Sequence, residues 1–333
     1  MKALAYVEPN KIDLLDVPEP NPEKGLIKVK INYCALCATD IHIVTQNLYN
    51  RKPPYILGHE ATGSIVEFGN CADTGGLRLG DKVVLSSMTP CGLCDACRRG
   101  DDCFCRHALV TQAFAEYAVV RPNALFRIPD EADELHYCLA EPCASAMRGI
   151  DLSDLRLGDT VAISGVGGIG SIILNMLYMR GAACITAIDP IPQKRELAKQ
   201  LGAGHVLDPF DNDFQAKMKE ITGGRGFDVF FEVSGSPKAA AVTLKNLAPK
   251  GRAMLFAVYP QDFELSVNLY RMYLKEARIQ TVFTTIYNYP RVLQLIPRMQ
   301  ADKLIGKVMP LSQAHEAFEL FKKSVFPKIV LKC

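Results

Sequence analysis

At 333 residues the chain is long enough for about two domains of roughly 150 residues each. Its 38 Lys+Arg against 36 Asp+Glu leave a formal net charge of +2, too little to hold nucleic acid or an anionic membrane surface, and 49% hydrophobic with 22% charged residues excludes the disordered regime. The opening MKALAYVEPN reaches Glu8 and Pro9 too soon for a signal-peptide core, and the most apolar helical run, SIILNMLYMR, is interrupted by Asn175 and Arg180. A cytoplasmic protein with no nucleic-acid and no membrane partner is expected.

Up to about residue 150 the chain reads as short strands punctuated by Pro and Gly: KALAYV, LIKVKINY, TGSIVEFG and DKVVLSS predict an irregular all-β region. Beyond it, strand runs alternate with helical periodicity: TVAISG, a helix from Gly168 to about Met179, ACITAID, a helix around Lys194 to Leu201, HVLD, FDVFFEVSG, a helix after Pro237, RAMLFAV and RIQTVF. This alternation predicts βαβ units and an α/β, doubly wound parallel sheet. The last stretch, a helix at about Pro290 to Met299 followed by the strand-like KIVLKC, loses the alternation and reads as a return to the first domain. The expected division is residues 1–147 completed by 286–333, and residues 148–285.

Twelve cysteines in a chain this long are too sparse for a disulfide scaffold and point to metal ligands. Cys34, Cys37, Cys71, Cys138, Cys143, Cys184 and Cys333 are scattered, whereas Cys91, Cys94, Cys97, Cys103 and Cys105 crowd into CGLCDACRRGDDCFC. Within it Cys91, Cys94, Cys97 and Cys105 form CxxCxxCx7C, four thiolates that close a tetrahedral structural zinc with no open position, and Cys103 is the spare. The same ligands suit an iron–sulfur cluster, and four reduced thiols without a metal are the blander reading. Arg98 and Arg99 are balanced by Asp95, Asp101 and Asp102, so the lobe offers nucleic acid no basic face. A second set is spread wider: Cys37 in CALCATDIH, His59 and Glu60 in LGHE, and Glu141 in AEPCASAMRG. Thiolate, imidazole and carboxylate would leave zinc a vacancy, as catalysis requires, although from spacing alone a lone histidine after glycine is more often structural than a ligand.

The strand TVAISG runs into VGGIGSIILNML, giving GxGxxG with Gly165, Gly167 and Gly170, and Gly168 opens the predicted helix. Such glycines suit a tight turn, close approach of backbone to a pyrophosphate, and an anion at a helix N-terminus. Asp189 ends the next strand, 19 residues after Gly170, where a carboxylate accepts hydrogen bonds from ribose hydroxyls. Two negative groups about 4 Å apart repel by roughly 4 kcal/mol at an effective dielectric near 20, so NAD is expected over NADP. Lys194 is a further candidate beside the cofactor, and Lys194 and Arg195 otherwise read as solvated residues of a first helical turn.

Taken together, CATDIH (Cys37–His42), GHEATGSIVEFG (Gly58–Gly69), GDKVV (Gly80–Val84), the cysteine lobe, FAEYAVV (Phe114–Val120), EPCASAMRGI (Glu141–Ile150) and GVGGIG (Gly165–Gly170) resemble the zinc-containing medium-chain dehydrogenase/reductase superfamily, which includes alcohol, sorbitol and threonine dehydrogenases. The resemblance covers essentially the whole chain. It implies a GroES-like β domain built from both chain ends, a Rossmann domain, an active site in the cleft between them, two zinc ions, NAD, and a homo-oligomer, dimer or tetramer. It places Cys37, His59 and Glu141 at the catalytic zinc, with Cys143 as rival to Glu141, and Glu60 as a second or alternating carboxylate. Thr39 matches the hydroxyl that receives the alcohol proton and His42 the relay to solvent.

A carboxylate ligand with GHE is similar to the polyol and threonine dehydrogenase branches, which implies oxidation of a polar secondary alcohol, whether polyol, cyclitol, sugar or amino alcohol, to its ketone. The chain departs from the family where only Arg106 to Ala113 separate Cys105 from FAEY, a shortening expected to widen the pocket. A primary alcohol dehydrogenase or aldehyde reductase is the alternative within enzymes. An NAD-binding protein without turnover should have lost zinc ligands, and a zinc-free quinone reductase should lack both the lobe and GHE; this chain keeps them all.

Overall fold

The computed structural model describes residues 1–70 and 74–333, and Cys71 lies outside the described residues. The chain divides into two compact units, Met1–Ala144 with Thr285–Cys333, and Ser145–Thr284.

The first unit is organised around the strand Ile27–Ala35, in which Ile27, Val29 and Ile31 are fully buried while Lys30 faces out, the period-2 pattern of a sheet wetted on one side. It pairs antiparallel with Glu60–Phe68, with Tyr117–Val120 and with Ile329–Lys332, inside a seven-stranded sheet. The return of the chain end is thereby structural, because Ile329–Lys332 lies in this sheet and carries Lys307–Pro310 parallel beside it. Register sets up the site. Ala35 pairs with both Glu60 and Val330, so Cys37, His59, Glu60 and Lys328 collect at one end of the sheet.

The all-β expectation for this region needs correction. Helices Ala38–Gln46 and Ala140–Leu152 occupy the CATDIH and EPCASAMRGI motifs. Both are short on apolar periodicity, and the first is fixed locally: the Asp40 side chain accepts the Cys37 N–H at 3.1 Å, and Asn47, left-handed at φ 48°, closes its end. The predicted Pro290–Met299 helix also breaks, into Tyr289–Leu295 and a 3-10 turn at Ile296–Arg298, where Pro297 supplies no N–H.

The second unit is a six-stranded parallel sheet in the order His205–Leu207, Cys184–Ile188, Thr160–Ser164, Phe227–Glu232, Leu247–Leu255, Arg278–Thr281. Every residue of Phe227–Glu232 is buried, as expected of a central parallel strand covered on both faces. The strand order reverses beside Thr160–Ser164, the position where doubly wound sheets bind ligands. The helix Gly168–Arg180 leaves this strand and ends at Gly181 with φ 79°. The expected α/β class with a doubly wound parallel sheet holds. Among the described residues no helix is long and apolar enough to cross a membrane.

Candidate active site and metal centres

In the cysteine lobe the sulfur atoms of Cys91 and Cys97 lie 4.0 Å apart, those of Cys94 and Cys97 3.5 Å, and those of Cys94 and Cys105 3.8 Å. A tetrahedron with Zn–S bonds of about 2.3 Å has edges near 3.8 Å, so the quartet fits the ion expected from its spacing. Backbone amides already point at the sulfurs: Cys94 and Leu93 donate to Cys91 Sγ at 3.4 and 3.5 Å, and Cys91 N donates to Cys105 Sγ at 3.3 Å. Donation by Leu93 and Cys94 pulls the Cys91 thiol down to about 6, favouring the thiolate that a metal takes. Arg121 fixes the entry to the lobe by donating to the carbonyls of Thr89 and Pro90, each at 3.2 Å.

At the sheet end, one ligand atom from each of Cys37, His59 and Glu60 lies within 4.8 Å of the others. Asp40, fully buried, holds this set: its Oδ1 faces His59 Nδ1 at 3.5 Å and accepts the Gly58 N–H at 3.2 Å, so Nε2 is the ring nitrogen that would serve a metal. Burial opposes charge on His59, but the Asp40 and Cys37 charges and hydrogen bonds outweigh it and raise its basicity well above the usual range. Glu60 is fully buried, and Lys328 Nζ donates to both of its oxygens at 2.5 Å and to Leu36 O at 3.2 Å. Burial pushes the Glu60 carboxyl up to about 7 against the pull of Lys328, and although desolvation is the largest single influence on Lys328, the charges of Glu60, Cys37 and Glu141 with the Glu60 hydrogen bond together raise its basicity. Sequence reasoning missed Asp40 and Lys328. The aspartate sits unremarked inside CATDIH, and a lone lysine before a strand carries no spacing signal.

Glu141 is buried in the first turn of Ala140–Leu152, outside the compact trio of Cys37, His59 and Glu60. Glu141 stays a candidate third ligand from the start of its helix, beside Glu60, which sheet register brings to Cys37 and His59. Cys143, its rival, is fully buried with its sulfur 3.7 Å from Met299 Sδ, and burial raises its thiol. Thr39 and His42 lie on the helix that follows Cys37, one turn apart. His42 Nδ1 is buried without a hydrogen-bond partner, and burial lowers the ring's basicity. The shortened segment forms a two-residue strand, Leu109–Val110, against Met88–Thr89, and then docks Ala113 N on Gly58 O at 2.8 Å.

In the second unit, Gly165 adopts φ 95°, and a Cβ on Gly170 would stand 1.9 Å from Gly165 O. A Cβ on Gly167 would meet nothing within 4 Å, so the turn leaves open space over its backbone, the cradle a pyrophosphate fills. Asp189 is buried: Oδ2 accepts Val166 N–H at 2.8 Å and Oδ1 accepts Ile191 N–H at 2.9 Å, tying the carboxylate to the glycine turn. Lys194 is not the solvated residue expected; it is buried with Nζ 4.0 Å from Asp189 Oδ2. Arg195 Nη1 is also committed, to Asp189 O, Pro190 O and Asp208 Oδ2 at 2.7 to 2.9 Å.

A thiolate–imidazole–carboxylate site on a β-rich unit, together with a glycine cradle on a parallel sheet, defines the class of zinc-binding dehydrogenases. Residues 23–130 match the alcohol dehydrogenase GroES-like domain and residues 168–298 the zinc-binding dehydrogenase domain. The chain is 33% identical over 329 residues to L-threonine 3-dehydrogenase of Pyrococcus horikoshii, covering 95% of this chain and 93% of the relative, and 30% identical to sorbitol dehydrogenase of Bacillus subtilis, covering 93% and 89%. Among solved structures, a zinc-binding dehydrogenase of Clostridium scindens superposes with a TM-score of 0.95 at 32% identity over 100% of this chain and 99% of that one. Another, from Sinorhizobium meliloti and bound to NADP, gives 0.93 at 26% identity over 100% and 99%. The protein belongs to the zinc-containing medium-chain dehydrogenase family and is an oxidoreductase.

Proposed function

We propose that the protein oxidises a polar secondary alcohol to its ketone with NAD. The observation that carries this is the Cys37–His59–Glu60 trio backed by Asp40 and Lys328. Cys37 and His59 would hold the catalytic zinc with Glu60 or Glu141 supplying the carboxylate, and Cys91, Cys94, Cys97 and Cys105 the structural zinc. When bound, zinc polarises the carbinol oxygen and the nicotinamide accepts the hydride from the carbinol carbon. Thr39 receives the hydroxyl proton, and His42, neutral and with Nδ1 unengaged, passes it to solvent. One hydride and one proton leave the alcohol, giving ketone and NADH.

The threonine and sorbitol dehydrogenase relatives support an amino-alcohol or polyol substrate, and the short Arg106–Ala113 segment supports a pocket wide enough for one. Gly165, Gly167, Gly168 and Gly170 would cradle the pyrophosphate, with Asp189 at the ribose and Lys194 beside it. NAD is favoured over NADP because Arg195 is committed to Asp208 and the Asp189 carboxylate would stand against a 2′-phosphate, its charge only partly offset by Lys194 at 4.0 Å. Eleven free cysteines among the described residues suit the reducing cytoplasm. Self-association as a homo-oligomer, dimer or tetramer, is supported by exposed Leu269, Tyr270, Tyr273 and Leu274 on Leu269–Lys275, next to the open edge strand Arg278–Thr281.

The test combines metal analysis with NAD and NADP reduction over L-threonine, sorbitol, 2,3-butanediol and ethanol. Two zinc ions per chain and a higher kcat/KM for a polar secondary alcohol are expected. A value for ethanol equal to or above every other alcohol overturns the substrate class. Asp189→Ser should narrow the NAD preference, and wild type reducing NADP as well as NAD removes the ribose assignment.

A further inference from the structure

Between the two tyrosines that follow the Ala38–Gln46 helix sits a guanidinium with no acid to answer it. Arg51 Cζ lies 5.0 Å from the Tyr55 ring centroid and 5.5 Å from that of Tyr49, and its Nε is buried without a hydrogen-bond partner. None of the ion pairs among the described residues includes it. The charges of His59, Cys37 and Glu141 act on the Tyr49 hydroxyl, and those of His59 and Asp40 on Tyr55, so the clamp lies within electrostatic reach of the candidate zinc ligands. The segment is held in an uncommon backbone: Asn47, Tyr49 and Asn50 have φ of 48°, 64° and 51°. Asn accepts the left-handed region readily, so the strained position among them is Tyr49, one of the two rings against Arg51.

Resting on the alcohol-oxidising reading above, we propose that Arg51 is a specificity-determining residue that binds an anion on the substrate, so that the preferred alcohol carries a carboxylate. Two rings hold the planar fork in place, and a planar carboxylate matches it with two parallel hydrogen bonds. The other buried cation of this region, Lys328, is already neutralised by Glu60. One unanswered positive charge matches a carboxylate monoanion; a phosphate dianion would need a second.

Two matched pairs, each a carboxylate against CH2OH, provide the test: D-gluconate with sorbitol, and 3-hydroxybutyrate with 1,3-butanediol. Wild type should show the higher kcat/KM on the carboxylate of at least one pair, and Arg51→Gln should lower the carboxylate-to-neutral ratio by about 10- to 100-fold, the worth of hydrogen bonds to a charged group. A wild-type preference for the neutral member of both pairs, or a ratio that Arg51→Gln leaves unchanged, overturns the proposal. If no alcohol is oxidised, the dehydrogenase reading fails separately, and calorimetric titration with gluconate still decides the arginine: weaker binding to Arg51→Gln supports it and equal binding overturns it. Should that variant not fold, Arg51→Lys keeps the charge and loses the fork, so a reduced ratio or weaker gluconate binding supports the proposal and wild-type behaviour overturns it.

Discussion

A carboxylate buried like that of Glu60 costs several kcal/mol unless a cation meets it, and Lys328 does so with both oxygens at 2.5 Å. Lys328→Ala should therefore destabilise the protein by about 1–3 kcal/mol, read as a lower urea midpoint, because Glu60, already pushed up to about 7, must take up a proton and lose its buried partner. Lys328→Arg should recover most of that loss by keeping the donor. The same residue marks the limit of sequence reading. His59 and Glu60 are legible from LGHE, but their partner stands 268 positions away in a segment with no pattern to flag it. Asp189 is the converse case, predicted from its distance to the glycines, with its environment visible only once Lys194 proved buried against it.

Elements show the same division. The cysteine lobe is a local structure whose four candidate ligands fall within fifteen residues, so their gathering was readable from spacing. Cys94→Ser should remove one of the two expected zinc ions and lower the thermal midpoint, because a structural metal's binding energy is folding energy. Strand pairing in the parallel sheet is fastened by Asp228, whose Oδ2 accepts both Thr160 N and Thr160 Oγ1 at 2.9 Å while Oδ1 pairs with Arg225 at 2.7 Å. Burial raises this carboxyl, but the Arg225 and Thr160 hydrogen bonds prevail and hold it below the usual carboxylate range. A depressed folded-state value gives stability that is present above the unfolded pKa near 4 and lost as pH falls through the folded one. Asp228→Asn should cost about 1 kcal/mol at neutral pH and flatten the loss of stability below about pH 4, measured by denaturant titration across pH.

For the whole molecule, the apolar row on Leu269–Lys275 bears on assembly. Leu269 is 76% exposed and Tyr273 78%, adjacent to an edge strand exposed along its length. Tyr273→Glu with Leu269→Glu should shift the protein toward monomer in analytical ultracentrifugation while leaving secondary structure by circular dichroism intact. A wild-type protein that sediments as a monomer at micromolar concentration would sink this inference.

The alternation of strands with helices, the glycine turn and the cysteine spacing are properties of neighbours along the chain, so the sequence by itself determined the doubly wound sheet and the family. Contacts between distant segments obey no such local rule. Only the tertiary structure decided that Glu60 lies close to Cys37 and His59, that Lys328 answers Glu60, and that Arg51 is clamped by Tyr49 and Tyr55 without an acid. The physical reason is register: pairing Ala35 with Glu60 and with Val330 fixes which side chains meet, and register is a choice among strands far apart in sequence.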